Sequence, residues 1–433
     1  MNLLVTNTRN SQAYAIIRAL RPYAHKIVAT MEGDNRFSAW LSHAARSRLV
    51  DKRYFTPSPA ADWRAGRIQR ENTEKEENYI QAVLRICEEE KIDTIFPSFD
   101  PHVYVFSKNK ERFEKLGILI PVHDYETLLT PLDKYRTIQS AQEVGFPCPK
   151  TYLAESEDDL KRISKDLGFP LVVKPRFTAG SRGTEMVRDL PELLSNYRKA
   201  TIPTSLMIQE YIPGKHLHHL LLVLDSAGII KMCLGLTAVR YLFRLNQRFG
   251  TAIESFDTNA YTMQAAKLGR KIGWPGSVTV QVKIDSRDGI PKLMEINPRL
   301  GNGLWQVVAI GINEPLMCLK IAKGENVQAA KDHPAGTLFL RPIEDLLGLG
   351  VKIIDALVYK FRINLQRRHP IDPSNAPPSI TELMQSYKET YFNRKKKLCD
   401  FYFTYFFNDP AVSIIWGLQT LTVLARFAKD LGK

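Results

Sequence analysis

Residues 281–299 read Gln-Val-Lys-Ile-Asp-Ser-Arg-Asp-Gly-Ile-Pro-Lys-Leu-Met-Glu-Ile-Asn-Pro-Arg, which predicts two strands joined by a turn at Asp285–Gly289. Side chains two residues apart on a strand point the same way, so Glu295 and Asn297 share a face. Gln281, on the neighbouring strand, adds a third oxygen-bearing side chain. One carboxylate and two amides suit Mg²⁺, which takes its other ligands from phosphates and water.

Arg299 directly follows these predicted metal ligands. A guanidinium in that position could neutralise the charge of a phosphate group during its transfer. A surface hairpin with a polar face would show the same alternation of side chains. On these residues alone, both interpretations stay open.

A basic, glycine-containing loop follows the predicted strand that ends at Lys174. It reads Pro-Arg-Phe-Thr-Ala-Gly-Ser-Arg-Gly over residues 175–183 and ends in Gly180, Ser181, Arg182 and Gly183. Glycine lets backbone N–H groups approach phosphate oxygens, and Lys174 adds a positive charge. The loop is therefore a candidate lid over a phosphate chain. The G-x-x-x-x-G-K-[ST] pattern of a Walker loop is absent, and an ordinary basic hairpin is the alternative.

A third segment, Gln-Glu-Tyr-Ile-Pro-Gly at 209–214, continues a β-rich run into a glycine turn. Exposed backbone at the end of a strand can offer one C=O and one N–H to the edge of an adenine ring. Many hairpins share this pattern, so the segment is informative only together with the other two.

The rest of the chain sets the context for these motifs. Residues 1–120 alternate short apolar runs with helical stretches, which predicts a small parallel sheet covered on both faces. The 433-residue chain has a formal net charge of +14, which suits polyanionic partners such as nucleotides. Its five cysteines form no C-x-x-C pair, which argues against a structural zinc site or a dense disulfide framework. The N-terminus lacks the pattern of a signal peptide, and we expect a cytoplasmic protein.

Together the motifs resemble the ATP-grasp superfamily, in particular the carbamoyl-phosphate synthetase large-subunit and carboxylate–amine ligase types. Their order agrees: Asp133-Lys134, Gly-Phe-Pro at 168–170, Val-Lys-Pro at 173–175, Gly-Ser-Arg-Gly at 180–183, the 209–214 segment and Glu-Ile-Asn-Pro-Arg at 295–299. The resemblance implies an α/β and α+β architecture that begins with a Rossmann-like pre-ATP-grasp domain at 1–122. A two-lobed ATP-grasp domain at 123–340 would follow, with a nucleotide-binding lobe at about 140–212 and a catalytic lobe at about 213–340. A helical, apolar and basic extension would occupy 341–433.

The resemblance also implies roles for individual residues. Lys134 and Lys174 would bind ATP phosphates, while Gly180, Ser181, Arg182 and Gly183 would close over them. Glu210, Tyr211 and Ile212 would bracket adenine, and Gln281, Glu295 and Asn297 would hold Mg²⁺, with Mn²⁺ as a possible substitute. Arg299, Lys174 and Arg182 would stabilise an acyl phosphate and the transition state that leads to it.

One position departs from the superfamily pattern. Many relatives have Gly-x-Glu after the adenine segment, with the glutamate on the ribose, whereas this chain has Gly214-Lys215-His216. Either His216 or His218 takes over the sugar contact, or the nucleotide is held more loosely there. We interpret the run that ends in His218-His219 as ordinary strand side chains in preference to a metal site. The neighbouring sequence has no acidic residue or cysteine that could complete a zinc site.

Substrate residues are less clear from the sequence. Arg240, Arg244 and Arg248 are four apart, so on a helix they would share a face that could clamp an acidic substrate; a solvated basic face is the alternative. Asn302 would border the acceptor pocket. Asp100, at the end of a predicted N-terminal strand, could contact substrate, because ligands gather at the carboxyl ends of such strands.

The apolar segment 411–425 falls short of the ~20 residues that span a membrane. Basic residues at 394–397 and the aromatic run at 401–407 precede it. A segment lying in a membrane interface, on the inner face, and a helical cap packed on the ligase are both compatible with this composition.

The leading functional hypothesis is an ATP- and Mg²⁺-dependent ligase that activates a carboxylate as an acyl phosphate and couples it to an amine. Carbamoyl-phosphate-synthetase-like or bicarbonate-using carboxylation chemistry is the second, although such synthetases duplicate this unit and one copy is present. A membrane-associated nucleotide-binding scaffold is the third. We expect small-molecule substrates, no nucleic acid, and a homo-oligomer as one possible assembly.

Overall fold

The computed structural model describes residues 1–33, 36–59, 71–177, 183–200, 206–214, 216–241, 250–365, 377–392, 398–400, 409–412 and 414–415. These fall into two compact units. The first comprises residues 1–235 and 258–333, and the second comprises 236–257 and 334–433. The two units are described in turn.

The first unit begins with a parallel sheet. Its strands are β1 Asn2–Val5, β2 Lys26–Glu32, β3 Lys52–Thr56 and β4 Thr94–Phe96, in the order β3-β2-β1-β4. The connecting helices are α1 Ser11–Leu20, α2 Arg36–Trp40, α3 Glu74–Glu90, α4 Asp100–Lys108, α5 Lys110–Glu114 and α6 Tyr125–Leu132. Since all four strands are parallel, their carboxyl ends lie at one edge, where α1 and α4 begin.

A small antiparallel sheet with three helices follows. Its strands are β5 Thr151–Leu153, β6 Leu171–Pro175, β7 Glu185–Val187 and β8 Leu206–Glu210, in the order β5-β8-β6-β7. The helices are α7 Lys134–Glu143, α8 Glu157–Leu167 and α9 Leu190–Lys199. Apolar side chains of α8 and α9 pack on this sheet to form a core of their own. That core fixes the end of β6, which carries Lys174.

The remaining strands of the first unit form an antiparallel ladder. They are β9 Leu217–Leu224, β12 Gly276–Ile284 and β13 Pro291–Asn297, with β12 between the other two. Helices α10 Asn259–Lys271, α11 Leu304–Ala309 and α12 Glu314–Ala322 belong to the same unit. Strand β10, Ile230–Tyr241, follows β9 and passes from the first unit into the second at residue 236.

The second unit contains the end of β10 with β11 Gly250–Phe256, β14 Leu338–Leu340 and β15 Leu398–Asp400. Strand β14 pairs antiparallel with β11 and parallel with β15. Helices α13 Pro342–Leu365 and α14 Ile380–Phe392 also belong to it. The expected helical extension therefore also contains a short strand. Most of the 411–425 segment lies outside the described residues.

The mixed α/β and α+β architecture predicted from the sequence is confirmed. The predicted boundaries at 122 and 340 stay predictions, and the compact units divide the chain differently because 236–257 joins the C-terminal unit. Among the described residues, no helix is both long and apolar enough to cross a membrane.

Candidate active site

Three neighbouring strands of the first unit present one row of polar side chains. Gln281 on β12 lies directly opposite Glu295 on β13 and opposite His219 on β9. Directly opposed residues of antiparallel strands point to the same face, so these three side chains share one. Thr279 pairs with Asn297 on that face, one step along the ladder.

A β-bulge in the ladder helps to place the carboxylate. Gln281 pairs with Glu295, whereas the next residue, Val282, pairs with Leu293, so Met294 is an extra residue in β13. Glu295 and Asn297 stay on one face, and Asn297 Nδ2 donates to Glu295 Oε1 over 3.3 Å. The structure thus brings the three predicted metal ligands onto one face of two adjacent strands.

Two lysines surround the Glu295 carboxylate. Lys134 Nζ, on the first residue of α7, lies 3.4 Å from Glu295 Oε2. Lys174, only 6% exposed, points its Nζ to the carbonyl of Met294 at 3.4 Å. The pKa of Lys174 is lowered to about 8, chiefly by burial. The positive charge of Lys134 also lowers this pKa, whereas the negative charge of Glu295 works to raise it. Burial works to raise the pKa of Glu295, but the charges of Lys134 and Lys174 prevail and lower it.

Asp133, to which the motif order gave no role of its own, is buried and links the two elements that carry Lys134 and Lys174. Asp133 is the N-cap of α7 and accepts hydrogen bonds from the N–H groups of Tyr135 and Arg136. Its carboxylate also binds the Arg176 guanidinium just after β6, and Lys134 N donates to Arg176 O at 3.1 Å. An aspartate directly before a helix start is a recognisable capping signal, and it could have been read from the sequence.

Arg299 is held by an ion pair with a residue of helix α4. Its Nε donates to Asp100 Oδ1 at 2.6 Å and its Nη2 to Asp100 Oδ2 at 3.0 Å. Nη1 donates to the carbonyl of Leu300 at 3.1 Å, and Nη2 also approaches Asn297 Oδ1 at 3.4 Å. Both partners are nearly buried, and Asp100 is the first residue of α4. Asp100, predicted to contact substrate, therefore contacts Arg299.

The chain after Arg299 folds back onto the same ladder. A Cβ at Gly301 would collide with Thr279 Oγ1, so only glycine permits this close approach. Asn302 follows and accepts a hydrogen bond from Gln12 on α1. Gln12, whose role gave no sequence signal, thereby ties the predicted acceptor residue to the carboxyl edge of the N-terminal sheet.

The predicted adenine segment leaves β8 as expected. Ile212 is buried, and its N–H has no hydrogen-bond partner among the described residues. Glu210 N donates to Lys150 O at 2.9 Å, so a nucleotide contact from Glu210 would have to use its carbonyl. The Glu210 carboxylate binds Arg287 at 2.6 Å, and Lys283 Nζ stands 5.2 Å from the centre of the Tyr211 ring.

The histidines separate onto two faces. His218 pairs with Val282, so it points away from the face that His219 shares with Gln281. His216 precedes β9 and its charge acts on His218, whose pKa is lowered by burial and then by His216. Of the histidines in this run, His219 is the one on the face of the predicted metal ligands.

Several predicted residues lie elsewhere. Gly180, Ser181 and Arg182 lie outside the described residues, as do Arg244 and Arg248; Gly183, at φ +67°, begins the next described segment. Arg240 was expected on a helix, but it lies on strand β10 in the second unit. There its guanidinium is bound to the buried Asp345 carboxylate and to Thr390. For Arg240, the structure therefore does not support the helical clamp.

Comparison with known proteins agrees with this geometry. The family model described as an ATP-grasp domain matches residues 132–303, and that of a PylC-like N-terminal domain matches 71–121. The predicted resemblance to the ATP-grasp superfamily is confirmed over residues 132–303, and the preceding segment 71–121 is similar to a PylC-like N-terminal domain.

Individual relatives are more distant. The carbamoyl phosphate synthase large chain of Myxococcus xanthus is 24% identical over 238 residues, covering 51% of this chain and 22% of that protein. The chain therefore spans about a fifth of the length of that curated relative. The biotin carboxylase domain dimer of Hydrogenobacter thermophilus 2-oxoglutarate carboxylase, solved with MgADP, ADP and bicarbonate, has a TM-score of 0.61 at 17% identity, covering 78% of this chain and 73% of that one. An L-amino acid ligase from Bacillus licheniformis has a TM-score of 0.56 at 18% identity, covering 74% of each chain.

The donor set fits a magnesium nucleotide rather than an isolated metal ion. No cluster of three or more His, Cys, Asp or Glu able to hold a metal occurs in the described part of the chain. A site with Glu295 as its carboxylate and two amides needs phosphate and water oxygens to fill the shell of Mg²⁺. Lys134 and Lys174 supply positive charge beside it, as a polyphosphate requires.

Proposed function

We propose that the protein is an ATP- and Mg²⁺-dependent ligase that activates a carboxylate as an acyl phosphate and couples it to an amine. The observation that carries the proposal is the joint placement of Lys134, Lys174 and Glu295, with Gln281 and Asn297 on the face of Glu295. This arrangement stands within the residues that match the ATP-grasp domain.

The charge and position of each residue determine its role in the proposed reaction. Lys134 and Lys174 would bind the phosphate oxygens and hold the triphosphate in line for attack by the carboxylate. Arg299, fixed by two hydrogen bonds that it donates to Asp100, would face the charge that develops on the transferred phosphoryl group. Because these groups are held before substrate arrives, little reorganisation is needed during the reaction.

Gln281, Glu295 and Asn297 would hold Mg²⁺, which when bound neutralises charge on the phosphates. Mn²⁺ is an ion that the same oxygen ligands could accept. A protein nucleophile is not required, since the substrate carboxylate attacks phosphorus and the amine then displaces phosphate. The glycine-containing loop that ends at Gly183 would exclude water from the acyl phosphate.

The first test measures nucleotide binding and ADP release. Titration calorimetry with Mg²⁺ and ADP needs no knowledge of the other substrates and should give saturable binding. ADP release is then screened with pairs of common amino acids as carboxylate and amine. Release that requires both members of a pair supports ligation.

Two carboxylate-to-amide variants serve as the test of the metal site and as its control. Glu295→Gln should lower ADP release by about 100-fold or more, because it removes the single charged metal ligand. Glu325→Gln changes an exposed carboxylate after α12 and should leave the rate unchanged. Absence of nucleotide binding, or equal activity of both variants, would reject the proposal.

A second candidate reaction uses bicarbonate. It is favoured by the fold similarity to a biotin carboxylase domain, whose structure holds bicarbonate together with MgADP. ADP release that depends on bicarbonate and on no amine would support this candidate over ligation. Both reactions would use the same phosphate-binding residues.

We also propose a cytoplasmic location, with contact of the tail to an acidic membrane surface as a separate hypothesis. Basic and aromatic residues around 394–407 motivate the latter. The full chain should pellet with vesicles containing phosphatidylserine, and a chain ending near Pro342 should not. Equal pelleting of both would remove the membrane hypothesis.

A further inference from the structure

His219 occupies a position in the ladder that the proposed reaction does not yet use. It is directly opposite Gln281, which is in turn directly opposite Glu295. The three side chains therefore form one row across β9, β12 and β13, on the face that carries the predicted metal ligands. Strands in a sheet lie about 4.8 Å apart, so side chains at the two ends of such a row can reach a common ion.

The chemistry of His219 suits a ligand. Burial lowers its pKa to about 4, even though the charge of Glu295 works in the opposite direction. A metal ion binds an imidazole through a neutral ring nitrogen. The His219 side chain makes no hydrogen bond to another described residue. A partly buried ring without a hydrogen-bond partner among those residues, aligned with a carboxylate and an amide, is available to a ligand.

We propose that His219 is a nitrogen ligand of the divalent ion that binds with the nucleotide, completing a row of His219, Gln281 and Glu295. The inference rests on the proposed nucleotide site and goes beyond it, because the oxygen ligands alone would make an ordinary magnesium site. An imidazole suits later transition-metal ions better than it suits Mg²⁺. The site should therefore bind Co²⁺ more tightly, relative to Mg²⁺, than an all-oxygen site would.

His218 provides a matched control on the same strand. It is adjacent in sequence and partly buried, but it pairs with Val282 and points to the other face. His219→Gln and His218→Gln remove the same chemical group from opposite faces of β9. Thermal unfolding of both variants shows whether either substitution disturbs the fold.

The decisive measurement is pulsed electron paramagnetic resonance of Mn²⁺ bound with ADP to the full chain, which needs no turnover. A coordinated imidazole gives a ¹⁴N modulation, and labelling with [¹⁵N]histidine must alter it if the nitrogen is histidine's rather than adenine's. The modulation should persist in His218→Gln and disappear in His219→Gln. In calorimetry with ADP, His219→Gln should lower the Co²⁺-to-Mg²⁺ affinity ratio about tenfold, and His218→Gln should not.

The outcomes separate the two proposals. If Mn²⁺ and ADP bind but no histidine nitrogen is detected, His219 is not a ligand and the ligase proposal stands. If the signal is present and unaltered in His219→Gln, another histidine supplies it and the inference is overturned. If Mn²⁺ and ADP do not bind at all, both proposals fall.

Discussion

Lys174 is the residue whose ionisation should be visible in nucleotide binding. Its pKa is lowered to about 8, so its charge is present below that pH and is lost as the pH rises through it. We expect the affinity for ADP to fall between about pH 7 and about pH 9, because a neutral amine no longer attracts phosphate. Calorimetric titration in a pH series measures this. Lys174→Met should bind weakly with no such slope, and a wild-type affinity that stays level would contradict the assignment.

Asp100 binds the Arg299 guanidinium, so in the proposed reaction its loss should affect the chemical step more than nucleotide binding. Asp100→Asn keeps the shape of the side chain but removes the charge and one of the two acceptor oxygens facing the guanidinium. We expect kcat to fall roughly 10- to 100-fold while the Kd for ADP stays within about twofold.

Steady-state rates combined with nucleotide titration separate these two effects of Asp100→Asn. A conservative Asp100→Glu variant should restore part of the rate, because it retains the charge. An equal loss of rate and of nucleotide affinity would point to a general structural role for Asp100 instead.

Single residues also show what the sequence could and could not predict. The shared face of Glu295 and Asn297 follows from the two-residue period of a strand, which is a local property. The neighbours of His219 depend on the register of β9 with β12 and of β12 with β13, and no local pattern fixes the pairing of β9 with a strand about 50 residues away. The pairing of Arg299 with Asp100, 199 residues away in sequence, likewise exists only in the folded chain.

At the scale of elements, helix α12 begins with a buried carboxyl group. Glu314 is fully buried, and burial raises its pKa to about 7 despite a hydrogen bond with Ser277. Ser277 Oγ lies 2.6 Å from Glu314 Oε1 and 3.3 Å from the carbonyl of Arg299. A hydroxyl has one proton, so a protonated Glu314 can donate to Ser277 while Ser277 donates to Arg299. The start of α12 thus supports the backbone of Arg299.

This raised pKa predicts how stability depends on pH. Between the usual value of 4.5 and about 7, the folded chain binds the proton that the unfolded chain releases, so Glu314 makes stability fall as the pH rises through that window. Glu314→Gln should remove the penalty and stabilise the first unit by roughly 3 kcal/mol at pH 8. Urea midpoints at about pH 5 and pH 8 provide the measurement. A variant less stable than wild type at both pH values would contradict a protonated Glu314.

On the scale of the whole chain, the sequence predicted a domain boundary near residue 340. In the structure, the segment 236–257 belongs to the C-terminal compact unit as well. The cause is the pairing of β11 with β14, in which Ala252 lies opposite Leu340. Strands so far apart in sequence leave no local signal of their pairing. The alternation of strands and helices, by contrast, follows from the hydrophobic pattern within each segment. That local pattern is sufficient to predict the fold class.

A fully buried carboxylate, that of Asp345, joins several elements of the second unit, which gives a prediction for the chain as a whole. Asp345, fully buried, accepts hydrogen bonds from Arg240, from Thr251 at 2.6 Å and from Tyr391 at 3.2 Å. These contacts join α13 to β10, β11 and α14. Asp345→Asn would leave the Arg240 charge buried without its counter-ion, which costs about 3–5 kcal/mol.

Because the chain divides into two compact units, this loss should be confined to the second. Hydrogen exchange followed by mass spectrometry should show faster exchange in β11 and α14 of Asp345→Asn, while β9 and β12 keep their protection. Glu389→Gln, an exposed carboxylate on α14, makes the same chemical change and should leave all four segments unaltered. Equal acceleration in β9, β12, β11 and α14 would mean that the two units unfold as one. In that case the buried carboxylate of the second unit would also stabilise the nucleotide site of the first.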